Sequence, residues 1–144
     1  MNRVHKGFPW YYESQLVPED TEMKLMRSLG FNAVRLGHMW AGVAPEEGGG
    51  YNATYLDIQI EIIKKFEASG VYVLLDAHED VLSSKFCLYD GAPRWVVDKS
   101  TPRHAFPWPF TGDCASRGWM QNALTEAAGQ AYQVSSDDAQ TRPP

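Results

Sequence analysis

Positive charge, cysteine and long apolar runs are all scarce in this chain. Thirteen Lys and Arg stand against 18 Asp and Glu, a formal net charge of −5. That balance argues against a nucleic-acid partner, because such binding rests on neutralising phosphates. No apolar run approaches the roughly 20 residues of a membrane-spanning helix, so no integral membrane segment is expected. The opening Met1-Asn2-Arg3-Val4-His5-Lys6 has no hydrophobic run behind it, and no signal peptide is expected in this chain.

Several chemical signatures are missing as well. Gly48-Gly49-Gly50 lacks the lysine and the preceding strand of a phosphate loop and reads as a turn. Ser83, Ser84 and Cys87 sit in no Gly-x-Ser-x-Gly elbow, so a nucleophilic triad is not indicated. Asp76, His78 and Asp80 resemble metal ligands in type, but strand spacing splays them, and nothing completes a zinc or iron site. No metal and no cofactor is therefore expected.

What remains is an ordinary globular composition. The chain is 44% hydrophobic and 12% aromatic, too apolar for wholesale disorder. Its 144 residues fit one domain of roughly 100–150 residues. They fall short of the roughly 250 that a complete (β/α)8 barrel needs.

Two helix-to-strand units stand out. Pro18, Glu19 and Asp20 open the first helix, where a proline and acids suit the positive dipole end. Met23, Met26 and Leu29 form its apolar stripe, and Gly30 caps it. A strand follows over 32–36. In the second unit Asn52 or Thr54 caps a helix running to about Ser69. Leu56, Ile60, Ile63 and Phe66 share its apolar face, with Glu61, Lys64 and Lys65 toward water. After Gly70, the near-continuous apolar run 71–75 predicts a strand covered on both sides. This βα grammar implies a parallel sheet or barrel. The segment 83–119 is broken by prolines and studded with aromatics, the mark of a functional loop. A further helix is expected over 121–132. Residues 134–144 are polar, end in Pro143-Pro144, and read as a disordered tail.

The strongest chemical feature is Asp76-Ala77-His78-Glu79-Asp80, directly after a buried strand. Alternation sends Asp76, His78 and Asp80 to one face and Glu79 to the other. Strand C-terminal ends are where α/β barrels hold their active sites. Arg35, ending the preceding strand, is placed to pair with Asp76 and keep it ionised. The alternative is a structural salt bridge beside a satisfied histidine.

Aromatic residues near these strand ends, among them Trp10, Trp40 and Trp119, suit stacking on sugars or lipid chains, or simple core packing. Cys87 and Cys114 stand 27 residues apart. A disulfide there would staple the aromatic loop by about 3–4 kcal/mol of chain entropy. Two free thiols are the alternative.

Longer motifs carry a family resemblance. Lys6-Gly7-Phe8-Pro9-Trp10, Gly30-Phe31-Asn32-Ala33-Val34-Arg35-Leu36-Gly37 and Met39-Trp40 resemble the endoglycoceramidases of glycoside hydrolase family 5. So do Gly50-Tyr51-Asn52, Tyr55-Leu56-Asp57 and the telling run Val73-Leu74-Leu75-Asp76-Ala77-His78-Glu79-Asp80-Val81-Leu82-Ser83. Lys85-Phe86-Cys87, Asp90-Gly91-Ala92-Pro93 and Trp95 follow in order. The likeness covers about residues 3 to 133.

The resemblance implies an α/β fold: about three βα units forming the N-terminal part of an incomplete (β/α)8 TIM barrel over 1–133. The tail 134–144 would then be disordered or foreign. It implies a retaining hydrolase that cuts between the oligosaccharide and ceramide of a glycosphingolipid, using two glutamates about 5–5.5 Å apart. The acid/base of that family lies in an Asn-Glu-Pro motif, yet no Asn-Glu pair occurs here. No catalytic residue can therefore be assigned, and the chain alone is expected to be inactive. By resemblance, Lys6, His78, Asp80 and Trp119 would belong to the sugar-binding site, with His78 also supporting the catalytic carboxylates. Arg35 and Asp76 would support the active site. Glu79 replaces a usual glutamine. The implied partners are a glycosphingolipid or other glycoside and a membrane or micelle surface. The full-length protein would be secreted or lumenal. A family 5 glycosidase acting on a β-glucan or steryl glucoside, and a non-catalytic glycolipid-binding remnant, are the alternatives.

Overall fold

A computed structural model describes residues 1–7, 20–79 and 81–141. The order is β1 (Asn2–Arg3), α1 (Asp20–Ser28), β2 (Ala33–His38), α2 (Trp40–Val43), α3 (Ala53–Ala68) and β3 (Tyr72–Ala77). A single 3-10 turn at Ser84–Phe86 follows, then α4 (Arg94–Val97), α5 (Trp119–Ala123) and α6 (Glu126–Thr141). The strands form one parallel sheet in the order β1-β2-β3. Parallel neighbours need long crossovers, and α1 and α3 lie within them. This is the α/β arrangement read from the sequence.

Local chemistry sets the helix ends. Asp20 and Glu22 occupy the first turn of α1, where the helix dipole favours acids; Pro18 and Glu19 lie outside the described residues. Met23 and Met26 are buried, but Leu29 is 64% exposed. It stands past the end of α1, where Gly30 at φ +80° turns the chain away. The expected stripe therefore stops at Met26. In α3 the cap is Asn52, whose Oδ1 accepts from the Tyr55 amide at 3.2 Å. The buried face is Tyr55, Gln59, Ile62 and Phe66, rotated from the Leu56-Ile60-Ile63 stripe expected. Only Phe66 is common to both. The apolar arc of α3 is wide, and the buried hydrogen bond of Tyr55 decides which part turns inward.

Met23, Met26, Val34, Leu36, Ile62, Phe66 and Val71 form the core between the helices and the sheet. Phe66 is fully buried, and truncating such a ring typically costs about 3–5 kcal/mol. The expectation that β3 is covered on both sides fails among the described residues. Tyr72, Leu74 and Leu75 are 77%, 65% and 53% exposed, because β3 is an edge strand flanked by β2 alone.

A second core lies under the long loop. Phe86, Val96 and Val97 meet Ala127, Ala128 and Ala131 of α6 there. Small alanines let α6 approach closely. The helix expected over 121–132 is broken at Thr125: its Oγ1 accepts from the Ala128 amide at 3.2 Å and starts α6 afresh. That helix runs on to Thr141, so residues 134–141 are helical rather than a disordered tail. The Ser135 and Ser136 hydroxyls donate to the Tyr132 carbonyl at 2.8 and 3.1 Å. Their polarity is thereby absorbed within the helix. Pro143 and Pro144 lie outside the described residues.

The loop itself is stapled. Cys87 and Cys114 are disulfide-bonded, with Cα atoms 5.6 Å apart. Buried Arg117 ties the rest together. Its Nε donates to Asn122 Oδ1 at 2.7 Å, and its Nη1 donates to the Gly112 carbonyl. The guanidinium also lies 5.0 Å from the Phe106 ring.

Candidate active site

Parallel strands bring their C-terminal ends to one edge of the sheet. There Gly37 stands opposite Asp76 in the β2–β3 register, one pair beyond Leu36 and Leu75. Arg35 and Asp76 are thus diagonal neighbours with no side chain between them. A Cβ on Gly37 would meet Val4 Cγ1 at 2.7 Å, so glycine also lets β1 approach. Arg35 Nη2 lies 2.8 Å from Asp76 Oδ2, and His78 Nδ1 lies 2.7 Å from the same oxygen. Desolvation pushes the Asp76 carboxyl up, but hydrogen bonds from His78 and Arg35, with their charge, outweigh it. The carboxyl is held below its ordinary value and stays ionised. The aspartate orients the imidazole through Nδ1 and leaves Nε2 for another partner.

That other side of the ring faces Asp90. Its Oδ2 lies 3.6 Å from His78 Nε2 and 3.7 Å from Lys6 Nζ. The Asp90 side chain is wholly buried. Five charged or titratable groups therefore run in series: Arg35, Asp76, His78, Asp90 and Lys6. Asp90 was not recognised as a site residue from the sequence. It stands in the run Asp90-Gly91-Ala92-Pro93 that carries the resemblance, and its physical signal is an aspartate fixed before a glycine in a loop.

The remaining residues separate. Asp80 lies outside the described residues, as does Trp10. Trp119 opens α5, 57% exposed. It lines a cavity of about 560 Å³ with Glu79, Leu82 and Tyr132. Lys6, Arg35, Asp76 and His78 are not in the walls of that cavity. Glu79 does turn away from the Asp76–His78 pair, as alternation requires. It enters the Trp119 cavity instead, where desolvation pushes its carboxyl up. Trp40 is a packing residue: it meets Trp95 edge to face at 6.4 Å, and Trp95 Nε1 donates to the Ala44 carbonyl at 2.9 Å.

Among the described residues, no three His, Cys, Asp or Glu side chains are arranged to hold a metal ion. No described helix is long and apolar enough to cross a membrane. Chemically, the strand-end network offers a fixed cation, an oriented imidazole and a lysine. These groups suit hydroxyl binding and the support of neighbouring carboxylates.

Comparisons with known proteins agree with this architecture. An endoglycoceramidase of Cyanea nozakii is 39% identical over 127 residues, covering 79% of this chain and 25% of that protein. An endoglycoceramidase of Hydra vulgaris is 36% identical over 151 residues, covering 92% and 28%. The fold matches the structure of endo-glycoceramidase II from Rhodococcus sp. with a TM-score of 0.63 at 23% identity. That match spans 99% of this chain and 31% of the other. The chain thus spans about a quarter of the length of these curated relatives, and its three strands correspond to the N-terminal part of such barrels. Residues 2–130 match the family model described as cellulase, glycosyl hydrolase family 5, and the chain belongs to that family.

Proposed function

We propose that this chain forms part of the sugar-binding wall of a retaining endoglycoceramidase and does not supply its catalytic carboxylates. The observation that carries this reading is the Arg35–Asp76–His78 network at the strand ends of a family 5 domain. In this reading Lys6, His78, Asp80 and Trp119 contact the sugar, and Arg35, Asp76 and His78 support carboxylates on strands of the barrel beyond these three. A retaining mechanism needs a glutamate pair about 5–5.5 Å apart, and the chain has no Asn-Glu to offer as the acid/base. The names of the relatives favour a glycosphingolipid substrate presented at a membrane or micelle surface. The Cys87–Cys114 bond supports a secreted or lumenal setting, where disulfides persist.

The test uses the purified chain and a fluorescent glucosylceramide-series lipid in detergent micelles. Retention of the lipid without release of oligosaccharide is the expected result. Released oligosaccharide would overturn the assignment of inactivity. Failure of the lipid to bind would overturn the sugar-wall reading.

A further inference from the structure

Asp90 reaches the strand ends from a distant loop, and the backbone shows how it is delivered. The Val81 amide donates to Asp90 Oδ1 at 3.0 Å, and the Ala92 amide donates to the Leu82 carbonyl at 2.8 Å. The 81–82 and 90–92 segments therefore clasp each other. Gly91 makes the clasp possible. Its φ is +98°, and a Cβ there would lie 2.2 Å from the Val81 carbonyl oxygen. One oxygen of Asp90 is thus committed to the loop. The other faces Lys6 Nζ and His78 Nε2. Lys6 follows β1 and His78 follows β3, so no strand neighbour links them.

We propose that Asp90 is a positioning residue that joins Lys6 to His78 across the mouth of the sheet and holds both toward the substrate side. A wholly buried carboxylate is costly unless cations or polar donors surround it. Here the surroundings are a lysine, an imidazole and a backbone amide, each from a different part of the chain. Asp76 hydrogen-bonds His78 at Nδ1 at 2.7 Å, while the Asp90 carboxylate faces Nε2 at 3.6 Å, an electrostatic approach longer than a hydrogen bond. The inference rests on the proposed sugar-binding role only for what Lys6 and His78 would touch. The linkage itself is independent of any ligand.

The test reads the His78 ring nitrogens by ¹⁵N NMR in the full chain. Asp90→Asn keeps an acceptor for the Val81 amide and removes the charge. The His78 ¹⁵N shifts are expected to move, while the Val81 amide keeps its hydrogen-exchange protection. Lys6→Gln alters a partly exposed side chain and spares the buried carboxylate, so it serves even if the Asp90 variant does not fold. It too is expected to move the His78 shifts, by transmission through Asp90. Unchanged His78 shifts in Lys6→Gln would overturn the linkage. Where the chain binds glycolipid, Asp90→Asn is expected to weaken binding about tenfold, the scale of one charged hydrogen bond. If the wild type binds no glycolipid, the sugar-wall reading falls and the NMR result still decides the role of Asp90.

Discussion

The Met39 amide donates a hydrogen bond to the Tyr55 hydroxyl at 2.9 Å, in a site that excludes water from both residues. The contact joins the end of β2 to the first turn of α3 and so fixes how the second βα unit closes. Desolvation raises the phenol above its ordinary pKa, partly offset by the Met39 amide. Tyr55→Phe would leave that buried amide unpaired, at a cost of about 1–3 kcal/mol. Gly42 lies against the same ring, where an added Cβ would come within 2.7 Å. Gly42→Ala is expected to destabilise by a similar 1–3 kcal/mol, roughly the cost of overpacking. Urea unfolding of both variants checks this; a midpoint equal to wild type in either would refute the role of that contact.

His38, at the end of β2, faces the same tyrosine at a ring separation of 5.7 Å. Desolvation lowers its pKa, and the neighbouring Gln59 side chain only partly restores it. The folded protein therefore resists a proton that the unfolded chain accepts at about pH 6.5. Stability from this source is complete above that pH and is lost as pH falls from there toward the folded midpoint. His5 shifts in the same direction, again chiefly by desolvation. His38→Gln should shallow the fall in urea midpoint between roughly pH 7.5 and 5.5 without abolishing it. An identical slope in wild type and variant would remove His38 as a cause.

These residues also show how far the sequence could be read. The βα grammar, the glycine stops and the Arg35–Asp76 pairing were legible because each depends on neighbours along the chain or across one strand ladder. The buried face of α3 was not. Tyr55 turns inward for a hydrogen bond with the Met39 amide that hydrophobic periodicity does not register. Asp90 is not legible for a related reason: its partners Lys6 and His78 follow β1 and β3, and only the folded loop brings it to them. The exposure of β3 follows from its position at the sheet edge, which an apolar composition by itself does not reveal.

The Cys87–Cys114 bond closes a segment with a sequence separation of 27. Arg117, just beyond Cys114, reaches back to the Cys87 sulfur at 3.9 Å and to the carbonyls of Thr111 and Gly112 within that segment. Reduction should therefore loosen the loop and the Arg117 contacts together. Chain entropy alone sets the loss at about 3–4 kcal/mol. A Cys87→Ser, Cys114→Ser double variant should show that loss in urea unfolding, and wild type in excess reductant should match it. Equal stability of oxidised wild type and double variant would show the bond to be energetically idle.

Asp76 provides the sharpest test of the strand-end network. Its carboxyl is desolvated, which alone would raise its pKa. The hydrogen bonds from His78 and then Arg35, with Coulombic attraction from both, bring it below the ordinary value. The unfolded chain protonates this group near pH 3.9. Stability from the network is therefore present above about that pH and is lost as pH falls through the lower folded value. Arg35→Met removes one of the two donors and the permanent charge, while its chain still covers the sheet. The Asp76 carboxyl midpoint should then rise toward the unfolded value, and acid unfolding should begin at higher pH. Carboxyl ¹³C NMR titration of Asp76 measures the first effect and circular dichroism the second. Because the Arg35–Asp76 pair is partly exposed, the stability change should be small, as for other screened pairs, whereas the titration shift should be plain. An Asp76 midpoint that is the same in wild type and Arg35→Met would mean that His78 alone holds the carboxylate, and that Arg35 serves the site only through its own contact with a ligand or a neighbouring carboxylate.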